Sequence, residues 1–463
     1  MKRLFIYELN EVPWPVVDLY IKARPNSNLN RILAESCCLT TNTVDSGELH
    51  PWSTWPTVHR GVSNDTHQIR SLNQDLKPSS AYPPVWDLLN SHGLTTGVCG
   101  SLQSYPPSSH QKMLFHIPDT FSAGSETKPS KYHHFQDFNL KQTGENNAQA
   151  ASLSAKDVIS IPKLFISGVS IRSFVRIATH VLSEFKNPLF KTRRSLLQPV
   201  LAFDVVSSCM KTEKPDLITF FSNHVAGVMH RYWKYSFPEE FDYEIKTDSD
   251  KFHQQSLLVA MDLFDAQIGK IDRWCKENNY DLAICSSMGQ EAIDRGEYVP
   301  EAQIHDIKKI AQAIQFSRPV KQNLAMYPDI ALEFENHEDA KHFAESVSML
   351  KDSEGNIIIS PVYDPVGNTL NLAIRKSAAL INDERLITPN ETYSLNDLDM
   401  SLMQRDIGTA YHQPQGILIW KGKTVTPDDA RKSVDSRTIL PTILNRFGQP
   451  TGNYMMEPIE TLG

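Results

Sequence analysis

The feature that most constrains the fold of this chain lies in its middle. Pro215-Asp216 introduces a short apolar run over residues 217–221, and Tyr280-Asp281 introduces another over residues 282–285. Between the two runs Leu257, Leu258, Met261, Phe264, Ile268, Ile271 and Trp274 recur at helical spacing. Strand, helix, strand in that order is a crossover, the connection that parallel strands require. The same rhythm extends both ways. Residues 4–7 read as a buried first strand, and residues 85–89 as a helix stopping near Gly93 before a strand at 95–99. A last strand at 416–420 precedes an apolar helical stretch, 438–447, closed by Gly448. The expectation is an α/β protein whose mostly parallel sheet is sandwiched by helices.

Two stretches break the rhythm. Residues 104–160 are rich in Ser, Pro, His and Asn and read as an extended loop or lid. Residues 325–376 read as strand (330–334), helix (337–350) and two strands (357–362 and 369–374), a small α/β cap inserted before the last core strand. The expected organisation is a core of residues 1–110, 200–300 and 405–463. An irregular or helical lid (111–199) and the α/β cap (301–404) interrupt it.

Composition narrows the function classes. The 463 residues are 40% hydrophobic, enough for a sizeable core, and 46 basic against 54 acidic residues leave a net charge of −8. That balance lacks the basic footprint of nucleic-acid binding. The cationic run at 186–194 (KNPLFKTRR) reads as a solvated loop or helix start. Glu8 interrupts the first apolar run, so no secretory signal is expected, and no window approaches the ~20 apolar residues of a membrane span. None of the six cysteines is paired at zinc-ligand spacing, and a reducing cytoplasm is the expected location.

Four clusters where strands meet loops can carry chemistry. Glu8 follows the first strand, and carboxyl ends of parallel strands are where such sheets place their sites. In Trp52-Ser53-Thr54-Trp55-Pro56, a hydroxyl ahead of Pro56 suits the start of a helix, where backbone N–H groups favour an anion. Asn223, His224, His230 and Arg231 follow the strand at 217–221, and a neutral imidazole suits a zinc-like ion. His412 precedes the last strand. Each cluster alone also fits a packed or capping role; what singles them out is their joint placement.

In order along the chain, these residues resemble the type I phosphodiesterase/nucleotide pyrophosphatase branch of the alkaline phosphatase superfamily. The matching motifs are Thr54-Trp55-Pro56 with Gly61 and His67, Val85-Trp86-Asp87-Leu88-Leu89, Ser104-Tyr105-Pro106-Pro107, Ser222-Asn223 through His230-Arg231, and His412-Gln413-Pro414. The resemblance implies an alkaline phosphatase-like sheet and a pocket where two divalent ions flank a phosphate attacked in line by Thr or Ser. By that resemblance Thr54 is the nucleophile, and Glu8 stands where the family has a metal-binding Asp. His230 and His412 are ligands of the other ion. Ala226, Ser287 and Met288 stand where the family has further ligands, and Asn223 or His224 is the expected compensation for Ala226. The metal site is therefore degenerate, holding one zinc-like ion on Glu8, His230 and His412, or none. Arg60, Asn223, His224 and Arg231 are the expected substrate-binding residues, with Lys421 as another cation for the phosphate.

The function expected from the resemblance is phosphoester or phosphodiester cleavage, by hydrolysis or transfer. Family analogy with polysaccharide biosynthesis makes a surface-glycan, lipid-linked or nucleotide-sugar phosphate the expected substrate. Two alternatives stand beside it. One is a metal-independent transferase using Glu8 and the histidines as acid and base. The other is a pseudoenzyme that binds an anion.

Overall fold

The computed structural model describes residues 2–72, 74–146, 162–294, 301–323, 330–363, 368–374, 383–403 and 408–462. The chain divides into two compact units. The first comprises Met1–Glu145, Ala150–Asp294 and Gly408–Gly463, and the second Asn146–Gln149 with Arg295–Ile407.

The first unit is built on an eight-stranded sheet. Six strands are labelled in chain order: β1 Leu4–Leu9, β2 Cys37–Asn42, β3 Thr96–Cys99, β4 Met113–Ile117, β5 Leu217–Ser222 and β6 Asp281–Cys285. Strands Gln415–Lys421 and Asp428–Asp435 complete it, in the spatial order Asp428–Asp435, β2, Gln415–Lys421, β6, β1, β5, β3, β4. β1 sits between β5 and β6, parallel to both, and all six of its side chains are buried. A strand covered on both faces has no solvent side, so its sequence, LFIYEL, shows no clean alternation.

The two faces bury different cores. Phe5, Tyr7 and Leu9 join Ile218, Phe220 and the helix Ser256–Asn278 on one side. Leu4, Ile6, Trp55, Ala283, Cys285 and the helix Ile439–Arg446 fill the other. The crossover is present, β5 and β6 flanking β1 with Ser256–Asn278 between them in sequence.

Gln415–Lys421 is the exception to parallel pairing: it runs antiparallel to both β2 and β6. Residues preceding an antiparallel strand lie at the edge where its parallel neighbours end. That inversion carries His412 to the carboxyl ends of β1, β5 and β6. Just before it, Ala410–Gln413 pairs antiparallel with β7, Gly289–Ala292, and sets His412 opposite Gln290. Gly289 is required there, because a Cβ would fall 2.1 Å from the Gln415 carbonyl oxygen.

Three core strands escape the sequence reading. β2 carries two threonines, and Asp428–Asp435 is a polar edge strand with a register shift. β4 lies in the stretch read as loop, which also holds the helix His133–Asn146; residues 147–160 of that stretch lie outside the described residues.

The second unit has its own antiparallel four-stranded sheet, in the order Ile359–Tyr363, Thr369–Ile374, Ile330–Glu333, Lys321–Asn323. The helix His337–Val347 contributes Phe343 and Val347 to a separate apolar cluster with Leu332, Leu370 and Leu372.

Candidate functional site

β1 ends at Leu9, and its next two residues turn into a polar centre. Glu11 adopts a left-handed backbone, φ 59°, an uncommon conformation for a residue with a Cβ. The turn brings Glu11 Oε2 to 3.0 Å from His230 Nε2 and 3.4 Å from His412 Nε2. Asn10 Nδ2 donates to Glu11 Oε1 at 2.7 Å and to Asn223 Oδ1 at 2.6 Å, and Gln290 Nε2 donates to Glu11 Oε2.

His230 lies two turns into the helix His224–Ser236, which starts directly after β5. Its Nδ1–H donates to the Ala410 carbonyl at 3.0 Å, which orients the ring with Nε2 toward Glu11. The Thr409 N–H donates to the His230 carbonyl at 2.7 Å, docking the 409–412 segment along the helix. The His230 and His412 rings meet edge to face, centroids 5.2 Å apart.

The electrostatics follow from this enclosure. Burial alone would raise the Glu11 carboxyl, but the His412 and His230 imidazoles outweigh it and hold it well below the usual carboxylate range. For His412 burial works against protonation, and the Glu11 charge overcomes it and raises the imidazole above its ordinary value. His50, whose ring lies 5.9 Å from that of His412, moves the other way: burial, then the His412 charge, lower it to about 4. His50 stacks on Trp52 with ring centroids 4.3 Å apart.

Glu11, His230 and His412 offer three donor atoms within 4.8 Å of one another. Around a tetrahedral ion with bonds of roughly 2.0–2.2 Å, donors sit about 3.3 Å apart. The separations of 3.0 and 3.4 Å bracket that edge. Two imidazoles, one with its remote N–H already anchored on a carbonyl, and one carboxylate are a donor set suited to zinc. A set of three protein ligands also leaves a coordination position open, and the His230 side chain is 31% exposed.

Not every expected site residue joins this centre. Glu8 does not: as an in-strand residue it points into the apolar layer, where His59 Nε2–H donates to its Oε1 at 2.7 Å. Thr54 is fully buried, and its Oγ1 shares a 2.8 Å hydrogen bond with Ser287 Oγ. Its helix, Pro51–Arg60, begins three residues earlier than expected, with His50 as N-cap and Pro51 in the first turn; Pro56 sits inside. Arg60 is buried and donates to the Ser79 and Tyr82 carbonyls, so it braces a loop and is not free for substrate. His224 is likewise spent, between Ser222 Oγ at 2.8 Å and the Ala260 carbonyl at 3.1 Å, and burial lowers its pKa to about 4. Lys421 pairs with Asp272 and Glu35. Asn223 and Arg231 are exposed at the start and middle of the His230 helix.

The carboxylate beside His230 is therefore Glu11, and neither Asn223 nor His224 fills the place opposite Ala226. Gln290 bridges the two positions, donating to Glu11 and, at 3.3 Å, to the Ala226 carbonyl. Glu11, Gln290 and His50 were not singled out in sequence. The available signal was Asn10-Glu11 immediately beyond the buried first strand, with Glu11 three residues past Glu8.

No family model matches the chain, and no curated protein matches it. It is similar to several solved structures along nearly its whole length. Murine ectonucleotide pyrophosphatase/phosphodiesterase 5 matches at 9% identity and TM-score 0.43, covering 97% of this chain and 96% of that one. An inactive form of the murine protein in complex with AMP matches at 8% and 0.45, covering 100% and 99%. Phosphonoacetate hydrolase from Sinorhizobium meliloti 1021 in complex with phosphonoformate matches at 9% and 0.40, covering 95% and 94%. At such identities the chemistry has to be read from this chain's own residues.

Proposed function

We propose that this protein cleaves a phosphoester or phosphodiester, by hydrolysis or transfer, at a centre formed by Glu11, His230 and His412. The observation that carries the reading is the approach of Glu11 Oε2 to both imidazole Nε2 atoms at the carboxyl ends of the parallel strands. The sequence resemblance to type I phosphodiesterases supplies the reaction class.

A divalent ion bound there supplies Lewis-acid stabilisation of a phosphoryl oxygen. This chain's residues supply the rest. The Ala410 carbonyl orients the His230 ring, and the imidazoles keep Glu11 ionised. Thr54 is the nucleophile in this reading, with Ser287 Oγ as the partner of its hydroxyl. Exposed Arg231 and Asn223, on and just before the helix that carries His230, bind the substrate's anionic group in this reading. A glycan, lipid-linked or nucleotide-sugar phosphate is the substrate class favoured, on family analogy.

Metal content by elemental analysis, with turnover of an aryl phosphodiester by wild type, Glu11→Gln and Thr54→Ala, tests this. Both variants are expected to lose turnover by about a hundredfold or more. Equal rates in wild type and Thr54→Ala remove Thr54 from the mechanism.

One observation favours a second reading. Glu11 Oε2 and His412 Nε2 lie 3.4 Å apart and can act as an acid–base pair. That suits a metal-independent transferase with His412 as acid. Turnover that survives exhaustive chelation selects it, and ligand binding without turnover across phosphoesters leaves a pseudoenzyme.

A further inference from the structure

The helix Ile171–Lys186 is anchored along one side: Phe174 and Ile177 pack against the core, the Ser170 N–H and the Ser173 hydroxyl donate to Asp204, and Glu184 is buried under a two-point bond from Arg194 at 2.8 and 2.6 Å. A second apolar stripe faces outward. Ile171, Val175, Leu182 and Phe185, spaced to share one face, are 71%, 57%, 61% and 83% exposed. Phe165 and Ile166 extend the patch, so six of the twelve exposed large apolar side chains among the described residues fall within 165–185. Contiguous exposure of this kind marks a contact surface.

Charge identifies the partner. Residues 162–194 hold seven basic side chains and one acidic, Glu184, in a chain of net charge −8. Arg172 and Lys186 in the helix, and Lys163 and Lys191 flanking it in sequence, are exposed. The one carboxylate of the segment is buried on Arg194, so a second copy of the helix offers no counter-charge. No helix among the described residues is long and apolar enough to cross a membrane. An outward apolar stripe with a cationic shoulder is what an anionic bilayer surface accepts.

We propose that Ile171–Lys186 is an interfacial membrane-docking helix, seating Ile171, Val175, Leu182 and Phe185 among acyl chains while the basic side chains meet anionic headgroups. The inference is independent of the catalytic reading.

Flotation of the full chain with vesicles tests it, comparing phosphatidylcholine alone with a mixture containing phosphatidylglycerol. The wild type is expected to float with the mixed vesicles, weakly or not at all with phosphatidylcholine, and less as salt is raised. The double variant L182E/F185E, at exposed positions, is expected to lose about tenfold or more in vesicle affinity. The variant R172E/K186E removes charge without touching the stripe, so its weakened binding supports the proposal even where the first variant melts lower than wild type. Failure of the wild type to float with anionic vesicles overturns it. So does unchanged flotation of both variants, or a self-association lost in L182E/F185E without any vesicle binding.

Discussion

Glu8 and Glu11 are separated by two residues, both are buried, and both meet histidine, yet they occupy different worlds. Glu8 is inside β1, facing the layer that holds Trp55, Cys285 and Leu418. It has a single imidazole, His59, which packs at 4.8 Å against Trp86, and it borders a cavity of ≈ 10 Å³ lined mostly by apolar groups. Its Oε2 has no hydrogen-bond partner. Glu11 has left the strand, and Asn10, Gln290, His230 and His412 all address it. A carboxylate inside a strand inherits that strand's packing face; one beyond its end is free to be aimed by a turn. The first arrangement serves cohesion, and the second is the one on which the proposed centre rests.

The largest effect expected from this contrast is on stability. His59→Ala strips Glu8 of its one imidazole inside an apolar layer and should cost roughly 3 kcal/mol or more, read from denaturant unfolding. Its zinc content, by elemental analysis, should equal that of wild type. A matching loss of zinc would show that the two carboxylates belong to one site.

Glu11→Gln should reverse the pattern. Zinc affinity, from competition with a chromogenic chelator, is expected to fall about a hundredfold, equivalent to about 2.7 kcal/mol. Glu8→Gln should leave that affinity within about twofold. Equal losses in both break the comparison.

Within a single pH unit, the smallest effect separates histidines held by neutral groups from those facing a carboxylate. Burial lowers His116 and His67 to about 3 and His224 to about 4. A depressed imidazole contributes stability that is present above its unfolded pKa of about 6.5 and lost as pH falls toward the folded value. Thermal stability should therefore drop as pH falls from 6.5 toward 4. His116→Gln should flatten that fall by about one proton, ~1.4 kcal/mol per pH unit. An unaltered slope would mean that His116 takes up its proton equally in the folded and unfolded states.

Much of the fold was legible because buried parallel strands and their crossover helices are written locally. Residues 217–221, 282–285 and 416–420 fall within observed strands, and the 257–274 repeat lies inside the helix Ser256–Asn278. β2 and Asp428–Asp435 were not legible, since threonines and charges at such strands have no local apolar signature. At the candidate site, His230 and His412 are where the sequence pattern placed chemistry, at strand ends. Arg60 and His224 were read as available because sequence does not show that carbonyls of distant segments already use them.

By itself the sequence determined the layered α/β core and the strand-end positions of the two histidines. Tertiary structure alone decided which glutamate faces them. That choice depends on where β1 ends, on a left-handed turn at Glu11, and on the reversed direction of Gln415–Lys421, which returns His412 to the edge where β6 finishes. Periodicity encodes which face a residue takes within one element. Which elements converge at an edge is set by the direction and order of strands far apart in the chain.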